Sequence, residues 1–196
     1  LFHTLYYFLD IDDATTQTTS DEREKLWEYA QGARRAVEIG VAEGVNTRLI
    51  AETLSEDGTL YAIDPFFGGR LGICWGELIA KDQVRRGNVE SRVQFVRALS
   101  WDACDQIDGA FDFIFVDGDH SLEGIKQDWS DWSGRVRPGG IIALHDTQVP
   151  TENHHVAGFG SSKYFQTEIQ HDDRFRIIDQ VDTLSVLKRR SQTGNR

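Results

Sequence analysis

The chain has 196 residues, enough for one domain with a sizeable core. Its 32 Asp and Glu against 21 Lys and Arg give a net charge of −11, which repels phosphate backbones and anionic bilayers and so disfavours nucleic acid and membranes as partners. No apolar run approaches the roughly 20 residues of a membrane span, no leader is expected from "LFHTLYYFLDIDD", and Cys74 and Cys104, without C-x-x-C spacing, suit free thiols in a reducing, cytoplasmic compartment.

Residues 1–18 begin aromatic and turn Thr-rich ("DDATTQTT"), which predicts an arm or a short helix followed by a loop; the aromatic start fits a lid or a homodimer contact. Residues 19–190 form the main domain and 191–196 a tail. "TSDEREKLWEYAQG" is a helix with Thr19 as N-cap and Glu22 three residues later, a capping box ended by Gly32. "RAVEIG" is a strand. "GVNTRLIAETLSEDG" is a helix with Val45, Leu49 and Thr53 on one face and Ile50 and Leu54 beside it. "TLYAID" is a strand and "WGELIAKDQVRRGNVE" a helix after a Gly-rich loop. "VQFVRA" is a strand, "SWDACDQI" a short helical turn and "FDFIFVD" a strand. "SLEGIKQDWSDWSGRV" is a helix with an apolar stripe at 122, 125, 129, 132 and 136, so Trp129 and Trp132 read as core. "GGIIALHD" is a strand after a Pro138-Gly139-Gly140 turn, residues 161–171 are a helix, and "FRIIDQVDTLSVLKRR" is two strands around Asp182-Thr183.

Strands alternating with helices predict an α/β fold, a Rossmann-like doubly wound sheet with helices on both faces. Two adjacent strands joined by so tight a link are antiparallel. The expectation is therefore seven strands, mostly parallel, with an antiparallel last strand.

"VEIGVAEGVNT" places Gly40 and Gly44 between the first strand and its helix, where an open α/β sheet binds ligands. G-x-x-x-G alone is equally a tight turn. Two acids sharpen it. Glu38 sits inside the strand, where a carboxylate is costly without a partner. Asp64 ends the second strand and can accept the hydroxyls of a ribose. NAD and S-adenosylmethionine both fit these features. Glu43 would repel a pyrophosphate, whereas the sulfonium and ammonium of S-adenosylmethionine suit an acidic surround, so the sequence leans to methyl transfer.

On these motifs the chain resembles the class I S-adenosylmethionine-dependent methyltransferases over roughly residues 19–188. "VEIGVAEG", "YAIDP", "FDFIFVD" and "RPGGIIALHD" are similar to successive motifs of that class. "VDGDHSLEGIKQDWSDW" followed by "RPGGIIALHDT" looks most like a bacterial branch of small-molecule O-methyltransferases, which includes enzymes acting on sugars and other natural products. The resemblance implies that Gly40 and Gly44 line the methionine end of the cofactor, with Glu38 supporting that loop. It implies that Asp64 holds the ribose and that Ser100 and Trp101 lie near the adenine. Asp117 would face the methionine portion and the reaction centre. Ala42 departs from a glycine common in the family.

Asp117 and Asp146 end the fourth and fifth strands and can converge at one sheet edge. Asp117, His145 and Asp146 would then bind magnesium or another divalent cation, as in the metal-dependent branch, although "HDT" replaces that branch's Asp-Asn pair. Equally, His145 or His120 would be a metal-free general base. Plainer readings stand beside these. Asp119 would cap the next helix, His120 would be a solvated turn residue, and His154 and His155 would belong to a surface loop or a lid. Trp75 and Phe66-Phe67 would wall a pocket or an interface. Three competing functions remain: a glycosyltransferase using Asp117-Gly-Asp119 as D-x-D, an NAD-dependent oxidoreductase, and an inactive cofactor-binding module.

Overall fold

The computed structural model describes residues 2–69, 72–149 and 154–191, so the tail beyond Ser191 lies outside them. Helix α1 (Phe2–Phe8) is followed by α2 (Ser20–Ala30). The expected capping box starts α2: Thr19 Oγ1 accepts from the Glu22 N–H, and Glu22 Oε2 accepts from the Thr19 N–H at 2.8 Å. Strand β1 (Arg35–Ile39), α3 (Val45–Thr53), β2 (Thr59–Ile63), α4 (Trp75–Arg86), β3 (Val93–Val96), α5 (Ser100–Cys104), β4 (Phe111–Val116), α6 (Leu122–Trp132) and β5 (Val136–Leu144) then alternate. Helix α7 (Gly160–Thr167) leads into the hairpin of β6 (Phe175–Val181) and β7 (Leu184–Arg189).

The strands form one sheet in the order β3-β2-β1-β4-β5-β7-β6. β1 to β5 pair in parallel, and β7 alone is reversed, lying antiparallel between β5 and β6. The chain steps outward from β1 to β3, then returns to place β4 on β1's other side. The carboxyl ends of β1 and β4 therefore flank the point where the order reverses, and a crevice opens there.

Strand alternation divides the core between two layers. Phe113 and Phe115 pack with Leu26 of α2, Ile50 of α3 and Val84 of α4. Ile114 and Val116 face the other way, onto Ala103 of α5, Trp129 and Trp132 of α6 and Phe165 of α7. Trp129 and Trp132 are thus core residues, as their spacing predicts. Each large apolar side chain buried this way contributes about 1.5–3 kcal/mol.

Three local expectations need correction. β5 does not begin after a Pro138-Gly139-Gly140 turn. It starts at Val136 and carries those residues as a bulge: between the pairs Phe111–Val136 and Phe113–Ile141, β4 advances two residues and β5 five. In α3 the buried residues are Asn46, Thr47, Ile50 and Ala51, and Val45, Leu49 and Thr53, expected to share a face, are all partly buried. The last helix is shorter than 161–171: α7 stops at Thr167 and a 3₁₀ turn, Ile169–His171, completes the segment.

Candidate active site

At the carboxyl ends of β1 to β4 lies a cleft of about 640 Å³. Gly40, Asp64, Ser100, Trp101, Asp117 and His120, each singled out in the sequence, all line it. Glu38 and Gly44 do not; they stand behind its wall.

Glycine is required at both loop positions for packing reasons. At Gly40, φ is +89° and a Cβ would sit 2.1 Å from the Asp117 carbonyl oxygen. At Gly44, φ is +76° and a Cβ would come within 2.7 Å of Ala80 Cα. Gly40 lets the first loop meet the end of β4, and Gly44 lets α3 meet α4. Ala42 also adopts a left-handed φ, +51°, which explains why glycine suits that position. Asp64 ties this loop to the next: its Oδ2 accepts from the Val41 N–H at 2.9 Å and the Ala42 N–H at 3.2 Å, while Oδ1 accepts from the Phe66 N–H at 2.7 Å. Glu38 is fully buried, and neither carboxyl oxygen has a hydrogen-bond partner among the described residues. Burial, opposed by neighbouring Thr47 and reinforced by the Asp117 and Asp64 charges, holds it well above the carboxylate range.

The ends of β4 and β5 do converge. His145 Nδ1 lies 2.8 Å from Asp117 Oδ1 and 3.6 Å from Asp146 Oδ2. His120 Nδ1 lies 3.2 Å from Asp146 Oδ2, and its Nε2 is 4.0 Å from Asp117 Oδ1. The two imidazoles differ in access. The His120 side chain is 30% exposed, opens on the cleft and rests against the Phe159 ring, with centroids 5.1 Å apart. The His145 side chain is 3% exposed and faces away, its Nε2 3.3 Å from Glu22 Oε2. Burial disfavours charge on His145, but the Asp117, Glu22 and Asp146 carboxylates outweigh it and raise its pKa to about 10. Burial likewise opposes charge on Glu22, yet hydrogen bonding with His145, Thr183 and the Thr19 N–H lowers its pKa to about 2. His145 is therefore an imidazolium at neutral pH, sealed between carboxylates.

This state bears on the metal set. Both ring nitrogens of His145 face carboxylates. Among the described residues, no three His, Cys, Asp or Glu side chains are grouped to hold a metal ion. The expected Asp117–His145–Asp146 metal site does not fit this donor set; the three residues form an ion-pair cluster instead.

Asp119 is not itself the helix cap. Ser121 caps α6, its Oγ accepting from the Gly124 N–H, and Asp119 braces Ser121 by accepting from its N–H at 2.9 Å and its hydroxyl at 2.8 Å. Phe67 lines the cleft, but Phe66 is buried behind it with Val41 and Ala80, and Trp75 opens α4 away from the lining. His154 and His155 begin a 3₁₀ turn, His154–Gly158, and their side chains lie outside the described residues.

Sequence reasoning missed three contributions. Glu22 was legible only as a cap. Thr15, Thr16 and Gln17 of the arm line the cleft, held by Glu43 Oε2, which accepts from the Thr15 N–H at 2.6 Å and its hydroxyl at 2.9 Å and meets His3 Nε2 at 3.1 Å. Asp128 of α6 also reaches the lining although only 4% exposed, and the Ser100 hydroxyl donates to its Oδ1. Burial, partly offset by Ser100, raises its pKa to about 6. A signal for Asp128 existed: it falls on the same helical face as Ile125, Trp129 and Trp132.

Residues 37–147 match the profile of a family described as a methyltransferase domain. A caffeoyl-CoA O-methyltransferase of Populus kitakamiensis is 31% identical over 121 residues, 59% of this chain and 47% of that protein. A probable caffeoyl-CoA O-methyltransferase of Arabidopsis thaliana is 29% identical over 126 residues, 59% of this chain and 48% of that one. The chain spans only 15% to 62% of the length of curated relatives that it matches. In fold it resembles the O-methyltransferase TomG of Streptomyces achromogenes, solved with its methyl-donor cofactor, at 18% identity and a TM-score of 0.68 over 96% of this chain and 87% of that one. An O-methyltransferase of Bacillus cereus gives a TM-score of 0.66 at 19% identity over 94% and 87% of the two chains.

Proposed function

Because the chain belongs to the methyltransferase-domain family, we propose that it transfers a methyl group from S-adenosylmethionine to a hydroxyl of a small-molecule acceptor. One observation carries the choice of cofactor. The described cleft lining holds four carboxyl side chains, Asp64, Asp117, Asp119 and Asp128, and no Lys or Arg. Such a wall stabilises a sulfonium and an ammonium and disfavours the pyrophosphate of NAD or of a nucleotide sugar. It therefore weighs against both the oxidoreductase and the glycosyltransferase readings.

S-adenosylmethionine would supply, when bound, a methyl group on a positively charged sulfur. The Gly40 loop would seat its amino-acid end, Asp64 the ribose, and Asp117 the charged region beside the reacting carbon. His120 serves as the general base. Asp146 takes the Nδ1 side of the ring at 3.2 Å, and Nε2, 4.0 Å from Asp117 Oδ1, is the nitrogen left for the acceptor. Nε2 receives the acceptor hydroxyl's proton as the new C–O bond forms and the methyl–sulfur bond breaks. The Asp117 and Asp146 carboxylates stabilise the imidazolium that results. Such a base contributes about 10²–10⁴-fold, and correct placement of the hydroxyl contributes more. His145 stands behind as a fixed cation that holds the two carboxylates in place.

Titration calorimetry tests the cofactor. S-adenosylhomocysteine should bind the native chain and NAD should not. NAD binding in place of S-adenosylhomocysteine would reverse the assignment. Methyl transfer should also survive EDTA; its loss, with rescue by magnesium, would restore the metal-assisted route.

A further inference from the structure

His120 belongs to no helix or strand. It sits in the turn that joins β4 to α6. The hydrogen bonds inside that turn involve Asp119 and Ser121, not the imidazole. Asp146, 3.2 Å from Nδ1, fixes one edge of the ring but not the tilt of its plane. A proton acceptor needs a fixed ring, because a misplacement of about 1 Å can cost about 10²-fold in rate.

Three consecutive residues at the start of α7 close on this turn. The Gly160 N–H donates to the His120 carbonyl oxygen at 2.8 Å, and the Ser161 N–H donates to the same oxygen at 3.3 Å. The Ser161 hydroxyl donates to the Asp146 carbonyl oxygen at 2.9 Å. The main chains of the base and of its carboxylate partner are thus joined to one helix end. Gly160 makes the approach possible, since a Cβ there would lie 2.0 Å from Leu122 N. The helix is anchored in turn: Phe165, and Ile169 just beyond its end, are each 1% exposed within the core. Phe159 stands immediately before this mount. Its ring centroid lies 5.1 Å from that of His120, with 32° between the planes. Although aromatic, it lies outside the apolar clusters that make up the core.

We propose that Phe159 is a positioning residue for His120: its ring covers one face of the imidazole and keeps Nδ1 against Asp146, while Gly160 and Ser161 fix the mount. The proposal rests on the reading of His120 as the base and adds what keeps that base aimed. With the face covered, the ring cannot turn over. The neutral imidazole then holds its proton on Nδ1 and its lone pair on Nε2. Without Phe159 the ring rotates away from Asp146, and the form with its proton on Nε2 becomes populated. That form has no lone pair at Nε2 for the acceptor's proton.

Nitrogen-15 magnetic resonance of the histidine-labelled chain tests this without any acceptor. His120→Gln assigns its signals among the six histidines. At a pH where the ring is neutral, native His120 should show the Nδ1–H form alone. Phe159→Leu should lose that single form, the two ring nitrogen shifts drawing together as the Nε2–H form enters. Phe159→Tyr keeps the ring and should return the native spectrum. The signals of buried His145 should not move in either variant, which shows that the sheet end is intact. A merely structural Phe159 would lower the melting temperature and leave the His120 tautomer alone. Unchanged His120 shifts in Phe159→Leu overturn the proposal, as does a Tyr variant that behaves like the Leu one. A native ring with its proton on Nε2 defeats the reading of His120 as the base, and the positioning role falls with it.

Discussion

His120 and His145 lie with ring centroids 6.5 Å apart and face the same two carboxylates, yet they are suited to opposite tasks. The difference is a third partner. His120 turns its free edge to the cleft and to Phe159. His145 turns its free edge to Glu22, which the chain brings from 123 residues away. One histidine is open to a ligand in the cleft, and the other is enclosed among carboxylates that favour its charged form. Residue type and neighbouring carboxylates do not assign a role; what closes the last side of the ring does.

The largest test of this contrast is to remove His120. His120→Gln should lower kcat by about 10²–10⁴-fold with little change in melting temperature or in S-adenosylhomocysteine affinity. Full activity in that variant would make the solvated-turn reading correct. Glu22→Ala comes next and should act on stability. It leaves a buried imidazolium short of a partner and removes the acceptor for Thr183, at a cost of about 3–5 kcal/mol by denaturant titration. A loss below about 1 kcal/mol would mean that His145 is neutral and the contrast false.

The pH profile of stability tests the same pair without a substitution. The His145 pKa is raised on folding, from 6.5 to about 10, so its contribution is full below pH 6.5 and is lost as pH climbs toward 10. The Glu22 pKa is lowered, from 4.5 to about 2, so its contribution is full above pH 4.5 and is lost as pH falls toward 2. The pair thus favours folding most between about pH 4.5 and 6.5. Denaturant midpoints measured from pH 6.5 to 9.5 should decline, and His145→Gln should flatten that decline.

Much of this architecture is legible in the sequence because it is local. Strand ends advertise themselves where an apolar run breaks at Asp64, Asp117 or His145-Asp146, and a parallel sheet collects such ends on one edge. Glu22 shows the limit. Its local partner, Thr19, is three residues away and makes a complete capping motif, so nothing in the segment asks for a second role. That role depends on the β5 end and the β6–β7 turn, which meet Glu22 only once the sheet is assembled. Thr15 to Gln17 were hidden for the same reason: a polar arm has no periodicity, and its place follows from Glu43 in a distant loop. Asp128 was hidden differently. Its helix was read correctly for its tryptophans, whose bulk masked the carboxyl lying on the same face.

The close approach at Gly40 has a mechanical consequence. Gly40 N–H bonds to Ile63 O at 2.9 Å and Asp117 N–H to Ile39 O at 2.8 Å, so the floor of the cleft is stitched from backbone to backbone. The Gly40 loop and the backbone that carries the Asp117 carboxylate cannot shift independently. The rim differs: its Thr15–Gln17 segment is held by side-chain contacts, the Thr15 N–H and hydroxyl donating to Glu43 Oε2. A ligand in the cleft therefore rests on a base plate of main chain, beneath a rim fastened by side chains.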